Sequence, residues 1–524
     1  MALNSRRVRS HRHAACPRRY RIRWCDRSDI VIGPQAYRPR RMHHITTDYL
    51  IIGSGTAGLA FADTLITESD AHVTIVDRHG KPGGHWNDAY SFVTLHQPSA
   101  FYGVGSMELG NGRVDTMGTN KGMLELASGP EVCGYFDRVM NHKLLPSGRV
   151  AYHPMCNYLG DGQFESLLSG ERTRVTVRRK LVDANHFGPK VPSTHRARFK
   201  VAAGVKLVPP NALPKLWHGM GGADAAAERP RRFVILGAGK TAMDTLIWLV
   251  NAGASPDAIS WVMPRDSWLI NRETTQPGMA FFEQVFGSQA DQMVAFATAT
   301  STADLFLRLE ACGALLRIFP EHLPSMFHLA TVAPGEVEVL RSVRNVIRLG
   351  RVVALDTDHM QLEHGRVPIQ ADNTLFVDCT ASAVEPRAPQ TIFQGERIVL
   401  QLVRLPQPAF SAALIAYVEA HYADDAEKNR LCATVPFPHT LDTYARAMLV
   451  NMQNQYQWGQ DKTLRSWIRD CRLDGFGKLM ASADPADTEK MSILLRLKEQ
   501  AVAAVGNLRK LSVQQPTPSP AANA

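Results

Sequence analysis

The sequence predicts an α/β fold: two nested Rossmann-type, three-layer dinucleotide-binding domains, the first interrupted by the second, and then a helical C-terminal region. Three observations predict it. Two short apolar stretches, 48–52 and 231–236, each run into a glycine-rich turn and then a helical pattern. Each is completed by another apolar stretch, 72–77 and 259–263, which makes two βαβ units. From Pro408 onward the apolar residues recur mostly at helical spacing.

In chain order, Asp48–Ile52 reads as a buried strand, followed by a helix to about Thr67 and a strand at His72–Asp77. A further strand is expected at 173–179. A Gly/Ala-rich linker, 218–228, precedes the second unit, whose helix runs from Thr241 to about Asn251. Residues 277–313 read as helices and 351–370 as short strands around a Gly365 turn. Asn373–Cys379 reads as one more buried strand. The boundaries expected are a leader at 1–45, a first domain at 46–228 and 366–511 that includes a helical cap, a second domain at 229–365 with a helical insert, and a tail at 512–524. The tail is rich in Pro, Ala and Ser and reads as disordered.

Gly53-Ser54-Gly55-Thr56-Ala57-Gly58 fits G-x-G-x-x-G between a strand and a helix. The first glycine permits the tight turn, the second lets the backbone approach a pyrophosphate, and the third lets helix and sheet pack closely. Asp77 ends the second strand 19 residues beyond Gly58, where a carboxylate can accept hydrogen bonds from a ribose. Lys81-Pro82-Gly83-Gly84-His85-Trp86 then brings two more glycines and a flat apolar side chain.

Gly237-Ala238-Gly239-Lys240-Thr241-Ala242 fits the G-x-G-x-x-A variant. It is not an ATPase phosphate loop, because Val234 stands where that motif needs glycine. Arg265 follows the next strand, 23 residues past Ala242, and can pair with a 2′-phosphate, so NADPH is favoured over NADH. Asp266 beside it works against that preference.

The pair Gly83, Gly84 followed by Trp86, together with Leu95, His96 and Pro98, resembles the flavin-containing monooxygenase superfamily and its FAD/NAD(P)-dependent relatives. The resemblance covers roughly residues 46–385. It implies FAD held around Gly53, Gly55, Thr56, Ala57, Gly58, Asp77, Arg78, Gly83, Gly84, His85, Trp86, His96 and Gln97. It implies NADPH, or NADH, held at Gly237, Gly239, Lys240, Thr241, Ala242 and Arg265. The activity implied is hydride transfer to the flavin, then oxygenation of a small organic substrate by O₂ through a C4a-(hydro)peroxyflavin. Leu375–Ala381 resembles the segment that re-enters the flavin domain. Two features depart from the pattern: the Phe–Gly–His–aromatic fingerprint has no counterpart in 208–218, and His85 stands where a small residue is usual. A flavin dehydrogenase or oxidase, and a non-catalytic nucleotide-binding protein, therefore stay open as alternatives. No catalytic acid or base is assigned; His96, Gln97 and Arg272 are the polar candidates, and a structural role is the favoured reading for each.

Composition narrows the field further. The formal charge of +10 belongs to residues 1–41, which carry twelve Arg against two Asp, and the rest of the chain is balanced. A nucleic-acid partner is therefore not expected. The leader reads as a translated extension upstream of Met42, as a basic arm, or as an Arg-rich targeting peptide. No apolar run is long enough for a membrane span. The eight cysteines (Cys16, Cys25, Cys133, Cys156, Cys312, Cys379, Cys432 and Cys471) have no C-x-x-C spacing. That argues for a reducing, cytoplasmic setting and against a metal site or a dithiol centre. Cys379 reads as a small buried residue. The His11/His13 and His43–His44 clusters read as solvated. A homo-oligomer is compatible with the sequence but not specified by it.

Overall fold

The computed structural model of the protein describes residues 42–218, 230–382 and 384–513. The basic leader with Cys16, Cys25, His11 and His13, most of the 218–228 linker, and the tail from Gln514 lie outside the described residues.

Two parallel sheets carry the two glycine turns. In the first, the order is Phe393–Gln394, Arg397–Val399, Arg172–Asp183, Met42–Ile52, Val73–Val76, Val150–His153. The interior pairs are parallel, and an antiparallel hairpin, Cys156–Gly160 and Gln163–Ser166, joins the strand Arg172–Asp183. In the second, the order is Asn345–Ile347, Ile259–Val262, Arg232–Leu236, Thr374–Asp378, Lys206–Val208, all parallel. Every strand of the second sheet falls between residues 183 and 393, so the second sheet is nested within the first.

Three strands differ from expectation. The first begins at Met42, because the polar stretch before Asp48 pairs residue by residue with Arg172–Val177, as Met42 with Arg172 and Thr47 with Val177. These mostly exposed residues carry no apolar run to read. Thr374–Asp378, expected on the return into the first domain, pairs instead with Arg232–Leu236 in the second sheet. The first sheet regains the chain only at Phe393. Lys206–Val208 likewise joins the second sheet, although it lies in the stretch assigned to the first domain. Sequence distance from the glycine turn does not reveal which sheet such short apolar strands join.

Helices cover both sheets. Thr56–Glu68 packs against Pro408–His421, which is buried along nearly its whole length and apolar on every side, as a helix enclosed by protein should be. The stretch 277–313 forms Phe282–Thr298 and Thr302–Ala311. Phe282–Thr298 packs along Thr488–Val513. Between these helices and the second sheet lies a small sheet of Leu315–Leu316, Ser267–Asn271 and Met326–Val332. The 351–370 stretch forms the antiparallel strands Val352–Leu355, His359–Leu362 and Gly365–Pro368. No helix among the described residues is long and apolar enough to cross a membrane.

The close packing of the first helix on its strand rests on Gly58, where a Cβ would be driven into the Gly53 carbonyl oxygen. Position 239 is the opposite case, since a Cβ there meets no atom within 4 Å. Gly58→Ala is therefore expected to cost ~3 kcal/mol or more of stability. Gly239→Ala should change it by less than ~1 kcal/mol. Urea denaturation of both variants checks the contrast.

Candidate functional site

The first glycine turn joins strand Met42–Ile52 to helix Thr56–Glu68. Gly53 sits at φ +108, a conformation that strains side chains, and its Cβ position falls 2.6 Å from Asn185 Oδ1. Gly55 has an ordinary φ of −77. The nearest atom to a Cβ there is the Gly84 Cα at 3.6 Å, which is ordinary contact. Gly84, at φ +56, lies against Gly55 from the following loop. Gly83 precedes it at φ +126. The helix starts at Gly55 with no side-chain cap, so its first N–H groups face no protein carboxylate or hydroxyl at the cap position.

The second turn repeats the pattern. Gly237 is at φ +116 and its Cβ position is 2.7 Å from the Cys379 carbonyl oxygen. Gly239 has φ −83, open space at its Cβ position and no side-chain cap on the helix Lys240–Asn251 that it begins. Ala242 is fully buried, so the small third residue again serves packing. In both turns the protein accounts for the first and third positions but not for the middle one. Gly55 and Gly239 leave a cradle that a Cβ would occupy, open to a group approaching the helix N-terminus. A pyrophosphate fits such a cradle in charge and in size.

Asp77 is buried at the end of Val73–Val76. Its Oδ2 accepts from the Ser54 N–H at 2.5 Å and the Ser54 hydroxyl at 2.8 Å; its Oδ1 accepts from the His79 N–H at 2.8 Å and meets the ring Nδ1 at 2.9 Å. His79 also reaches Asp88 at 2.8 Å. Burial raises the Asp77 carboxyl, but the bonds from His79 and Ser54 outweigh it and hold its pKa below the usual range. A ribose hydroxyl would take the place of one side-chain donor. Arg78 is exposed beside it.

Trp86 is fixed by its indole N–H, which donates to the Tyr102 hydroxyl at 2.7 Å. Tyr102 is in turn bonded to the Thr56 hydroxyl at the start of the first helix. His85 stacks on Trp86 with ring centroids 5.4 Å apart. Burial pushes the His85 pKa down to about 4. His96 is likewise pushed to about 4, by burial first and then by Lys240. Both imidazoles are neutral at pH 7. Gln97 lines a cavity of ≈1170 Å³ beside the same segment.

Arg272 and Lys240 are structural at their side chains. Arg272 is 1% exposed; it donates to the His96 carbonyl at 2.8 Å and to Asn120 at 3.2 Å, and it pairs with Glu336 at 2.7 Å. Lys240 turns inward to Asp244 and to Glu336 at 3.4 Å. Burial raises the Glu336 carboxyl, but Lys240 and Arg272 outweigh it and hold it at about 2. Tyr90 donates to Asp244 at 2.7 Å. At Lys240 only the backbone N–H remains for a phosphate.

Arg265 is exposed next to Arg351; loss of surrounding water and the Arg351 charge both lower its pKa. Asp266 is held by Arg348 at 2.9 and 3.1 Å. Asp266 is thus neutralised, and Arg265 and Arg351 stand after the strand Ile259–Val262 with the Glu363 carboxylate, which accepts from the Arg351 N–H at 2.8 Å, beside them. Burial pushes the Cys379 thiol up to about 12, so it is not a nucleophile at neutral pH.

The sequence did not point to Tyr90, Tyr102, His79, Glu336 or Arg351. Only the Lys240–Asp244 pair, four residues apart on one helix, had a readable spacing.

Residues 51–101 match the NAD(P)-binding Rossmann-like domain family, a stretch that contains the first glycine turn, Asp77 and Trp86. Uncharacterized protein Rv2000 of Mycobacterium tuberculosis is 47% identical over 436 residues, covering 83% of this chain and 79% of that protein. Uncharacterized protein Mb2023 of Mycobacterium bovis matches to the same extent. The chain belongs to the family of these mycobacterial proteins. Among solved structures, the polycyclic ketone monooxygenase of Thermothelomyces thermophila aligns over 91% of this chain and 89% of its own, with 11% identity and a TM-score of 0.43. Cyclohexanone monooxygenase from Rhodococcus sp. Phi1 aligns over 72% and 85%, with 13% identity and a TM-score of 0.41. These likenesses are loose, and the site of this family member is read from its own residues.

The two depressed histidines set a pH dependence. Each unfolds to a group that titrates near 6.5, so the unfolded chain binds more protons between pH 6.5 and 4, and the stability present above 6.5 is lost as pH falls through that window. The denaturation midpoint of the protein is expected to fall from pH 7 to pH 4.5. A His96→Gln variant should fall less steeply over the same range.

Proposed function

We propose that the chain is an FAD-dependent oxidoreductase that takes hydride from NADPH, with NADH a weaker donor, and uses O₂ to oxygenate an organic substrate. The observation that carries this reading is the pair of middle glycines. Gly55 and Gly239 have ordinary backbone angles and no protein atom that forbids a side chain, yet each opens an uncapped helix after a strand. Two dinucleotide sites in one chain, one nested within the other, suit a flavin and a nicotinamide nucleotide.

When bound, FAD accepts hydride from the nicotinamide and passes two electrons on, so that substrate, O₂, NADPH and a proton give oxygenated substrate, water and NADP⁺. The chain supplies the setting. Gly55, Thr56 and Ala57 offer backbone N–H groups to the flavin pyrophosphate, Gly53 makes the turn with its own N–H given to the Val76 carbonyl, and Gly84 leaves room for the ligand. Asp77 holds the ribose, displacing a donor from Ser54 or His79. The Thr56–Tyr102–Trp86 chain of hydrogen bonds fixes the indole as a wall. His96, neutral, can accept or donate one hydrogen bond without adding charge. Gly237 and Gly239 receive the second pyrophosphate, and Arg265 with Arg351 receives the 2′-phosphate.

Gly55→Val should be purified without flavin, because the side chain fills the pyrophosphate approach; full flavin content by absorbance would contradict the assignment. Arg265→Ala should raise KM for NADPH by about tenfold or more, the loss of one charge-assisted hydrogen bond, and change KM for NADH little. Equal effects on both nucleotides would remove the 2′-phosphate role.

A further inference from the structure

The cavity beside Gln97 has a volume of ≈1170 Å³. A flavin held at Gln97 would take one end of this cavity; sites for drug-sized ligands span about 300–1,000 Å³, and the remainder, between the helices, is of that class. Its walls come from the helices Phe282–Thr298, Leu441–Gln460 and Thr488–Val513 and the strand Met326–Val332. Phe296, Phe327, Tyr444 and Met448 make much of the surface apolar. No aspartate or glutamate is among the lining residues. Arg404 is paired with Asp474, and the other lining cations, Arg430, Lys498 and Arg509, are exposed to solvent.

Among the described residues, one buried polar side chain in the wall lacks a partner. Gln407 is 5% exposed, and its Oε1 is buried with no hydrogen bond. Its neighbours in the wall are satisfied: Asn451 accepts from the Leu405 N–H at 2.9 Å, and Asn454 donates to the Val403 and Ala433 carbonyls at 2.8 and 2.7 Å. An unpartnered buried amide costs stability, so the fold alone gives no reason for glutamine at 407. Its terminal torsion is soft, and a half-turn exchanges the places of the buried oxygen and the NH₂.

We infer that the substrate is a bulky, uncharged and largely apolar molecule, of four-ring size or larger, held in this cavity by a hydrogen bond to the Gln407 amide. Calling the occupant a substrate rests on the proposed flavin chemistry; its size and polarity rest on the cavity.

The probe is progesterone, a neutral four-ring ketone, compared with cyclohexanone. Equilibrium dialysis against the full chain measures binding without use of the flavin, and the flavin spectrum is recorded on the same sample. Progesterone is expected to bind at least about tenfold more tightly than cyclohexanone. Gln407→Leu should lower that affinity about tenfold while the melting temperature holds or rises, since an unpartnered amide has been removed. Ala501→Trp, which narrows the cavity from Thr488–Val513, should weaken progesterone binding and spare cyclohexanone. Equal affinity for the two ketones would overturn the inference, as would normal progesterone binding by Gln407→Leu with a lowered melting temperature. Flavin that bleaches with NADPH in a chain that does not bind progesterone would sink this inference and leave the proposed function standing. Progesterone binding by a chain that retains no flavin would do the reverse.

Discussion

At position 58 there is room for a hydrogen atom and nothing larger, because the first helix is pressed onto the Gly53 carbonyl at the end of its strand. That contact sets where the helix N-terminus lies relative to the sheet edge. From it follow the uncapped first turn, the position of Thr56 under Tyr102, and through Tyr102 the orientation of the Trp86 indole. The same contact seats Thr56–Glu68 against the buried helix Pro408–His421, which ties the C-terminal region to the first sheet.

A second constraint holds the other turn. Lys240, Asp244, Glu336 and Arg272 form a buried set of two cations and two anions, and Tyr90, His96 and Asn120 bond to it from the 90–120 segment. Removing one member leaves a buried charge uncompensated, which is far more damaging than losing a surface pair. The set therefore positions the start of Lys240–Asn251 firmly. It also explains why Lys240, although it sits in a glycine-rich turn, has its ammonium directed at carboxylates.

What could be read from the sequence was local. Each glycine turn, its flanking strands and its helix are consecutive residues with their own spacing rules, and Gly53, Gly58, Gly237 and Ala242 occupy the places those rules give them. What could not be read was long-range. Thr374–Asp378 and Lys206–Val208 are short apolar strands whose sheet is chosen by partners more than 20 residues away in sequence. Tyr102, Glu336 and Arg351 act through neighbours that only folding brings together. The partners of Arg272, which reads in sequence only as a polar candidate with a structural role favoured, could not be named because His96, Asn120 and Glu336 are scattered over the chain, and Gln407 gave no signal because its significance is the absence of a partner.

The central claim is that this chain binds both a flavin and a nicotinamide nucleotide and passes hydride between them. The most direct test is to purify the protein, mix it anaerobically with NADPH, and record the flavin spectrum before admitting O₂. The account predicts bound FAD that bleaches on mixing, faster with NADPH than with NADH, and reoxidises when O₂ enters. A protein that carries no flavin, or flavin that stays oxidised with either nucleotide, would contradict it.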